Sequence, residues 1–310
     1  MSMSLSQVRV VDPVLTTVAR GYTQSNLVGS VLFPEVPVDL SGGQILEFGK
    51  EAFRLVNARR APGGATKLVD FGYLGAPYAL LQDSLGAKVP REWMRDASRS
   101  PGIDLGTRAV NTVMGQLRTG LEYQQAVMAR TAASYAASNK VTLAGGARWS
   151  TATVDPSVTI ETGREAIRAA VGVYPNVALL SAKAFAAARN NPILLNRFRY
   201  TTAASITEEM LAALWNVDRV VVGKGVFASG ADDAFADIWG TDAILAYSAI
   251  GAMGAEVPSY GYTYTMRGHP MVEPAYWDNG TKSWVCGVTY ERAPVLAGVS
   301  AGYLITTAAD

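Results

Sequence analysis

The chain has 310 residues, with 27 Lys and Arg against 26 Asp and Glu, and is 49% hydrophobic but only 17% charged. An ordinary soluble domain carries about 25% charge, so much of this chain is expected to lie against protein, in its own core or in neighbouring subunits. A formal net charge of +1, one cysteine (Cys286) and one histidine (His269) exclude a strongly basic nucleic-acid binder, an intramolecular disulfide and a Cys/His zinc cluster.

Residues 1–45 show no helical period. Pro13, Pro34, Pro37, Gly42 and Gly43 interrupt short apolar pieces, and the prolines favour extended backbone. Val36, Val38 and Leu40 alternate with Pro37 and Asp39, as in a half-buried strand. An arm without a core of its own must lie on something else, and its first 40 residues are expected to be removable without unfolding the body. The start lacks the basic and apolar regions of a secretory signal, and no stretch approaches the roughly 18 apolar residues of a membrane span. A soluble protein of a reducing compartment is expected.

Residues 46–100 hold nine basic and six acidic side chains, among them Arg54, Arg59, Arg60, Lys67, Arg91 and Arg95. Turn signals at Ala61-Pro62-Gly63-Gly64 and Gly72-Tyr73-Leu74-Gly75 divide the segment. It reads as a charged two-stranded loop projecting from the body.

From Asp104 to Ala137 the period becomes helical. Val110, Val113, Met114, Leu117, Leu121 and Met128 form one stripe, Arg108, Arg118, Glu122 and Arg130 occupy other faces, and Asp104 is the expected N-cap. A helix over that span would be a rod of about 50 Å.

The second half reads as mixed α and β. Val158–Ile160 is expected as a short strand before a helix over Glu161–Val171. Asn176–Leu180 follows as a strand, and Ala182–Arg189 as a helix ending before Asn191-Pro192. Ser205 and Glu208 have the spacing of a capping box for a helix to Trp215. Strands are expected at Arg219–Val222, Ala243–Tyr247, Tyr262–Met266, Trp284–Arg292 and Tyr303–Thr307.

Patterns that would carry catalysis fail on their own terms. Gly223-Lys224-Gly225-Val226-Phe227-Ala228 has the spacing of a dinucleotide fingerprint, but that motif needs a following helix to receive the pyrophosphate. Ser229-Gly230-Ala231-Asp232-Asp233 has a loop's composition instead. Cys286 alternates with Trp284 and Val288 as a buried strand residue would, and His269 sits in a turn, so a Cys–His dyad is not expected. Asp232, Asp233 and Asp237 lack the glycine and terminal glutamate of a calcium-binding loop. No catalytic, cofactor-binding or metal-ligating residue is assigned.

The order of arm (1–45), charged loop (46–100), long helix, α/β body and closing strands resembles the tailed-phage major capsid proteins of the Hong Kong 97-type fold. The most specific stretch runs from Tyr174-Pro175-Asn176-Val177-Ala178-Leu179-Leu180-Ser181 through Glu208-Glu209-Met210-Leu211 to Val220-Val221-Val222-Gly223. Asp237-Ile238-Trp239-Gly240 and Gly302-Tyr303-Leu304-Ile305 are also similar to the family. The resemblance implies an α+β fold with an N-terminal arm, extended loop, spine helix, peripheral domain (beginning within 101–174), axial domain (175–260) and closing strands (261–310).

It further implies an icosahedral head shell of pentamers and hexamers enclosing double-stranded DNA, formed in the host cytoplasm without cofactors. A separate scaffolding protein, a portal and a decoration protein are the implied partners. Arg54, Arg59, Arg60, Lys67, Arg91 and Arg95 become candidate contacts between subunits, because arm and loop reach over neighbours. Asp232, Asp233 and Asp237 become candidates for a loop at a symmetry axis. An encapsulin-type compartment shell is the alternative within the same fold, and a nucleotide-dependent enzyme the alternative outside it.

Overall fold

The computed structural model describes residues 15, 16, 19, 26–44, 59, 77–97, 104–199, 205–228, 234–249 and 259–310. Within the arm, a single helical turn α1 (Gly29–Leu32) leads into β1 (Glu35–Val38) and β2 (Gly42–Gln44). Val36 is buried, but Leu40 is 72% exposed, so the expected alternation stops at Val38, where the chain turns toward β2. This stretch lies on its own chain. β1 pairs in parallel with β11 (Gly261–Met266), setting Val36 opposite Tyr264. Leu32 and Phe33 are fully buried in the same cluster as Trp239, Ile244 and Leu304. Thr16 accepts the Val272 amide at 3.0 Å, and Ala19 is fully buried. The expectation that residues 1–40 are separable from the body is therefore overturned. Large apolar side chains inside a close-packed core cannot be withdrawn without leaving cavities.

β2 pairs with β3 (Pro77–Ala79), and β4 (Leu81–Pro90) follows, ending in α2 (Arg91–Ala97). Next comes α3 (Leu105–Arg130), 26 residues and so about 39 Å long. Asp104 caps it as expected, accepting the Gly106 and Thr107 amides at 2.9 and 3.3 Å. Val110, Val113, Met114, Leu117 and Leu121 are buried, and Met128 is half-buried.

α3 stops at Arg130, short of Ala137. The chain there breaks into two 3₁₀ turns, Ala132–Ser134 and Ala137–Asn139. Tyr135 between them is buried, with its hydroxyl against the Ala129 carbonyl and the Tyr260 hydroxyl. That tertiary anchorage outweighs continued helix, in a stretch whose Thr131 and Ser134 have only modest helix propensity.

β5 (Lys140–Thr142) precedes α4 (Pro156–Val171). Val158–Ile160 is therefore the first turn of a helix and not a strand. Asp155 accepts the Ser157 amide at 2.9 Å, and Pro156 occupies the first turn, where its missing N–H costs nothing. β6 (Val177–Ser181), α5 (Ala182–Asn190), α6 (Pro192–Phe198) and α7 (Glu208–Trp215) follow. Asn191-Pro192 both ends α5 and opens α6, with Asn191 accepting the Ile193 amide at 2.9 Å. α7 is capped by Thr207, not by Ser205: its hydroxyl accepts the Met210 amide at 3.4 Å.

The remaining strands are β7 (Arg219–Gly223), β8 (Val226–Ala228), β9 (Phe235–Asp237), β10 (Ala243–Ala246), β11, β12 (Met271–Val272), β13 (Tyr276–Asp278), β14 (Ser283–Leu296) and β15 (Gly302–Thr306). Two larger sheets result. In one, the order is β5-β15-β10-β6-β7. Ala178 and Leu180 face a cluster with Trp149, Ile160, Leu211 and Trp215, while Val177 and Leu179 face the cluster holding Phe33 and Trp239. Burial on both faces explains why β6 and β10 read as unbroken apolar runs.

The other sheet is built on β14, which pairs with β4 along ten residues from Leu81↔Arg292 to Pro90↔Ser283 and with β11, β12 and β13 on its opposite edge. Cys286, Val288 and Tyr290 on one face of β14 pack under Val110, Val113 and Met114 of α3. Among the described residues no helix is long and apolar enough to cross a membrane.

Candidate assembly site

Glu122 is the residue that the sequence misplaces most. It is 2% exposed, although helical spacing alone puts it off the apolar stripe. Its carboxylate accepts the Val28 amide at 3.0 Å, the Gly29 amide at 2.6 Å and the Trp239 indole N–H at 2.6 Å. Burial pushes its pKa above the usual carboxylate range, and the three donors only partly oppose that shift. One side chain of α3 thus ties the arm to the segment after β9. Gly29 is needed at this crossing: a Cβ there would lie 2.0 Å from Gln125 Oε1 and 2.6 Å from Glu122 Oε2. One turn on, Gln125 donates to Thr263 Oγ1 at 2.9 Å, and that hydroxyl donates to the Phe33 carbonyl at 3.2 Å.

The C-terminal end of α3 is tied in the same way. Arg130 Nε meets Asp242 Oδ2 at 2.6 Å, and its Nη1 donates to the Ile238 carbonyl at 3.1 Å. Asp242 in turn accepts the Thr307 amide at 2.9 Å. Arm, long helix, both sheets and C-terminal strand are therefore linked through α3 by buried or half-buried polar contacts, which hold geometry more specifically than apolar packing does.

Gly223–Ala228 does not open a helix. β7 passes directly into β8, which pairs with β9 (Val226↔Asp237). Gly223 is required because a Cβ there would lie 2.2 Å from Trp239 Cδ1. The fingerprint spacing thus reflects close packing and a hairpin, with no helix N-terminus to hold a phosphate. Cys286 is buried under α3, whereas His269 Nδ1 lies 3.2 Å from both the Thr289 carbonyl oxygen and the Glu291 amide. Among the described residues no group of three or more His, Cys, Asp or Glu could hold a metal.

Of the candidate contact residues, Arg59 is exposed, Arg91 and Arg95 lie on α2, and Arg54, Arg60 and Lys67 fall outside the described residues. Asp237 is half-buried at the end of β9, and its carbonyl accepts the Gly240 amide at 3.3 Å. Asp232 and Asp233 fall outside the described residues. The described part of that hairpin is more apolar than its acidic composition suggests, with Phe235 77% and Val226 45% exposed.

No protein-family model matches the chain. The major capsid protein of Burkholderia phage BcepMu is 34% identical over 306 residues, covering 97% of this chain and 98% of its own. Among solved structures, a phage-related protein from Bordetella bronchiseptica RB50 is 51% identical, with a TM-score of 0.84 and coverage of 97% and 99% of the two chains. An encapsulin from Synechococcus elongatus PCC 7942 shares the fold alone, at 14% identity and a TM-score of 0.54 over 99% and 91% of the chains. Full-length identity to a phage capsid protein decides between the two kinds of shell: the chain belongs to the major capsid proteins of tailed phages, with the Hong Kong 97-type fold, and forms the phage head shell.

Proposed function

We propose that copies of this chain lock together through residues 1–14 of the arm and residues 45–76 of the charged loop, which reach over neighbours, and that the resulting head encloses double-stranded DNA. The observation that carries this reading is the β2–β3 pair. Gln44 sits opposite Pro77, which sets the two ends of the 32-residue stretch between them side by side. Arg54, Arg60 and Lys67 belong to that stretch. Residues 46–140 carry 13 basic and 8 acidic groups, and the rest of the chain 14 and 18. A loop with excess positive charge is thereby matched to a neighbour's less basic body, which sets orientation more than affinity.

On this reading the sheet built on β14 belongs to the peripheral domain, and the β5-β15-β10-β6-β7 sheet to the axial domain. Asp232, Asp233 and Asp237 of the Gly223–Gly240 stretch then form rings of like charge around a symmetry axis. A separate scaffolding protein, a portal and a decoration protein complete the assembly. The chain itself is a structural protein and not an enzyme.

A cryo-EM reconstruction of assembled particles tests the reading. Residues 45–76 should lie over an adjacent subunit, and Asp232 should lie near an axis. A loop folded back on its own subunit would overturn the first assignment. Asp232→Asn with Asp233→Asn should make capsomer formation less dependent on salt, and an unchanged salt dependence would remove the second.

A further inference from the structure

The chain has six tryptophans. Trp149, Trp215 and Trp239 are buried, but Trp93 is 63% and Trp284 38% exposed, and Trp277 is half-buried. These outer three come to one end of the sheet built on β14. Strand pairing sets Trp284 opposite Val89 and opposite Trp277, with the two indoles edge-on at 5.6 Å. The Arg91 amide donates to the Lys282 carbonyl at 3.2 Å, so α2 begins at this same end and carries Trp93 and the exposed Met94.

No residue of the seven-residue α2 is buried. Helices shorter than about 12–15 residues are marginal in water, and clustered exposed tryptophan marks interfaces. The charges of α2 are also sorted. Arg91 and Arg95, four apart, make a basic stripe, and Glu92 and Asp96 make an acidic stripe beside it. Within the helix Arg95 Nε lies 3.0 Å from Asp96 Oδ1 and Arg91 Nε 4.0 Å from Glu92 Oε1, exposed pairs that hold weakly and can exchange partners. All four side chains are more than half exposed, at 68%, 66%, 56% and 62%. A surface for nucleic acid or an anionic membrane would carry one sign, whereas a surface with both stripes complements another copy of itself.

We propose that α2, with Trp277 and Trp284, is a contact between copies of this chain. The Arg91/Arg95 stripe of one copy meets the Glu92/Asp96 stripe of another, and the tryptophans supply the apolar centre. The proposal rests on the shell-forming reading and goes beyond it by naming the surface and its pairing.

Two charge-reversed chains test it: Arg91→Glu with Arg95→Glu, and Glu92→Lys with Asp96→Lys. Each produced alone should yield about tenfold fewer sedimenting particles than the unaltered chain. Produced together, they should recover particles containing both. Circular dichroism of each reversed chain should match that of the unaltered chain, because the four side chains are more than half exposed and their pairs within the helix contribute little to stability. Normal yield from either reversed chain alone, or no recovery in the mixture, overturns the proposal. All chains are produced with the scaffolding protein where one is required, and absence of particles from the unaltered chain under those conditions would instead overturn the shell-forming reading, and the proposal with it.

Discussion

Glu122 accepts the indole N–H of Trp239 at 2.6 Å, across 117 positions of sequence. The same carboxylate holds the Val28 and Gly29 amides, so the placement of the arm and the packing of Trp239 depend on one buried acceptor. Glu122→Gln keeps the size but turns one acceptor into a donor facing a donor. An unsatisfied buried donor costs about 1–3 kcal/mol. The variant should lose about 2 kcal/mol of stability in thermal or denaturant unfolding. A change below about 0.5 kcal/mol, the range of ordinary surface substitutions, would show that the three donors find other partners.

Gly223 packs against the same indole. Gly223→Ala places a methyl group 2.2 Å from Trp239 Cδ1 and should cost about 1–3 kcal/mol through overpacking. Combined with Glu122→Gln, its effect should be non-additive, since both changes act on one ring. Additive costs in a double-mutant cycle would argue that Trp239 does not couple the two sites.

Truncation separates the two parts of the arm. On the proposed reading residues 1–14 serve assembly, so their removal should leave the subunit fold intact while weakening assembly. Removal of residues 1–40 takes away Leu32 and Phe33, both fully buried, each worth about 2–5 kcal/mol in core-truncation series. The shorter truncation should stay folded by circular dichroism and the longer should not. A folded subunit lacking residues 1–40 would contradict the packing described.

The start of α3 gives a pH signature. Hydrogen bonds from the Thr107 side chain and amide hold the Asp104 pKa below its usual value of 3.8. The folded-state pKa is the lower of the two, so this contribution is present above about pH 3.8 and is lost as pH falls through the folded value. Asp104→Ala should cost about 1 kcal/mol at neutral pH and make the acid limb of the stability curve shallower. Asp104→Asn should keep most of the neutral stability, because asparagine also caps. An acid limb unchanged in both variants would contradict this role.

The α3 stripe was legible because Val110, Val113, Met114 and Leu117 meet one continuous apolar face of β14, the situation in which helical period and burial coincide. Glu122 was not, because its burial is created by Gly29 and Trp239, 93 and 117 positions away. Periodicity sees only neighbours. Val158–Ile160 misled for a related reason: three β-branched residues in a row resemble a strand unless Asp155-Pro156 is weighed as a cap with proline in the first turn. The family order was legible through coverage of the chain, and no single motif carried it. The contact surface is less legible still. Trp93, Trp277 and Trp284 are scattered in sequence, and only the pairing of β4, β13 and β14 brings them together.

The central claim is that this chain builds a closed shell. Electron microscopy of material sedimented from cells producing it, with its scaffolding protein where one is required, tests that claim most directly. The account predicts closed icosahedral particles of uniform size whose walls are made of this chain. Material that remains monomeric or dimeric under those conditions, with no closed particles, would contradict it.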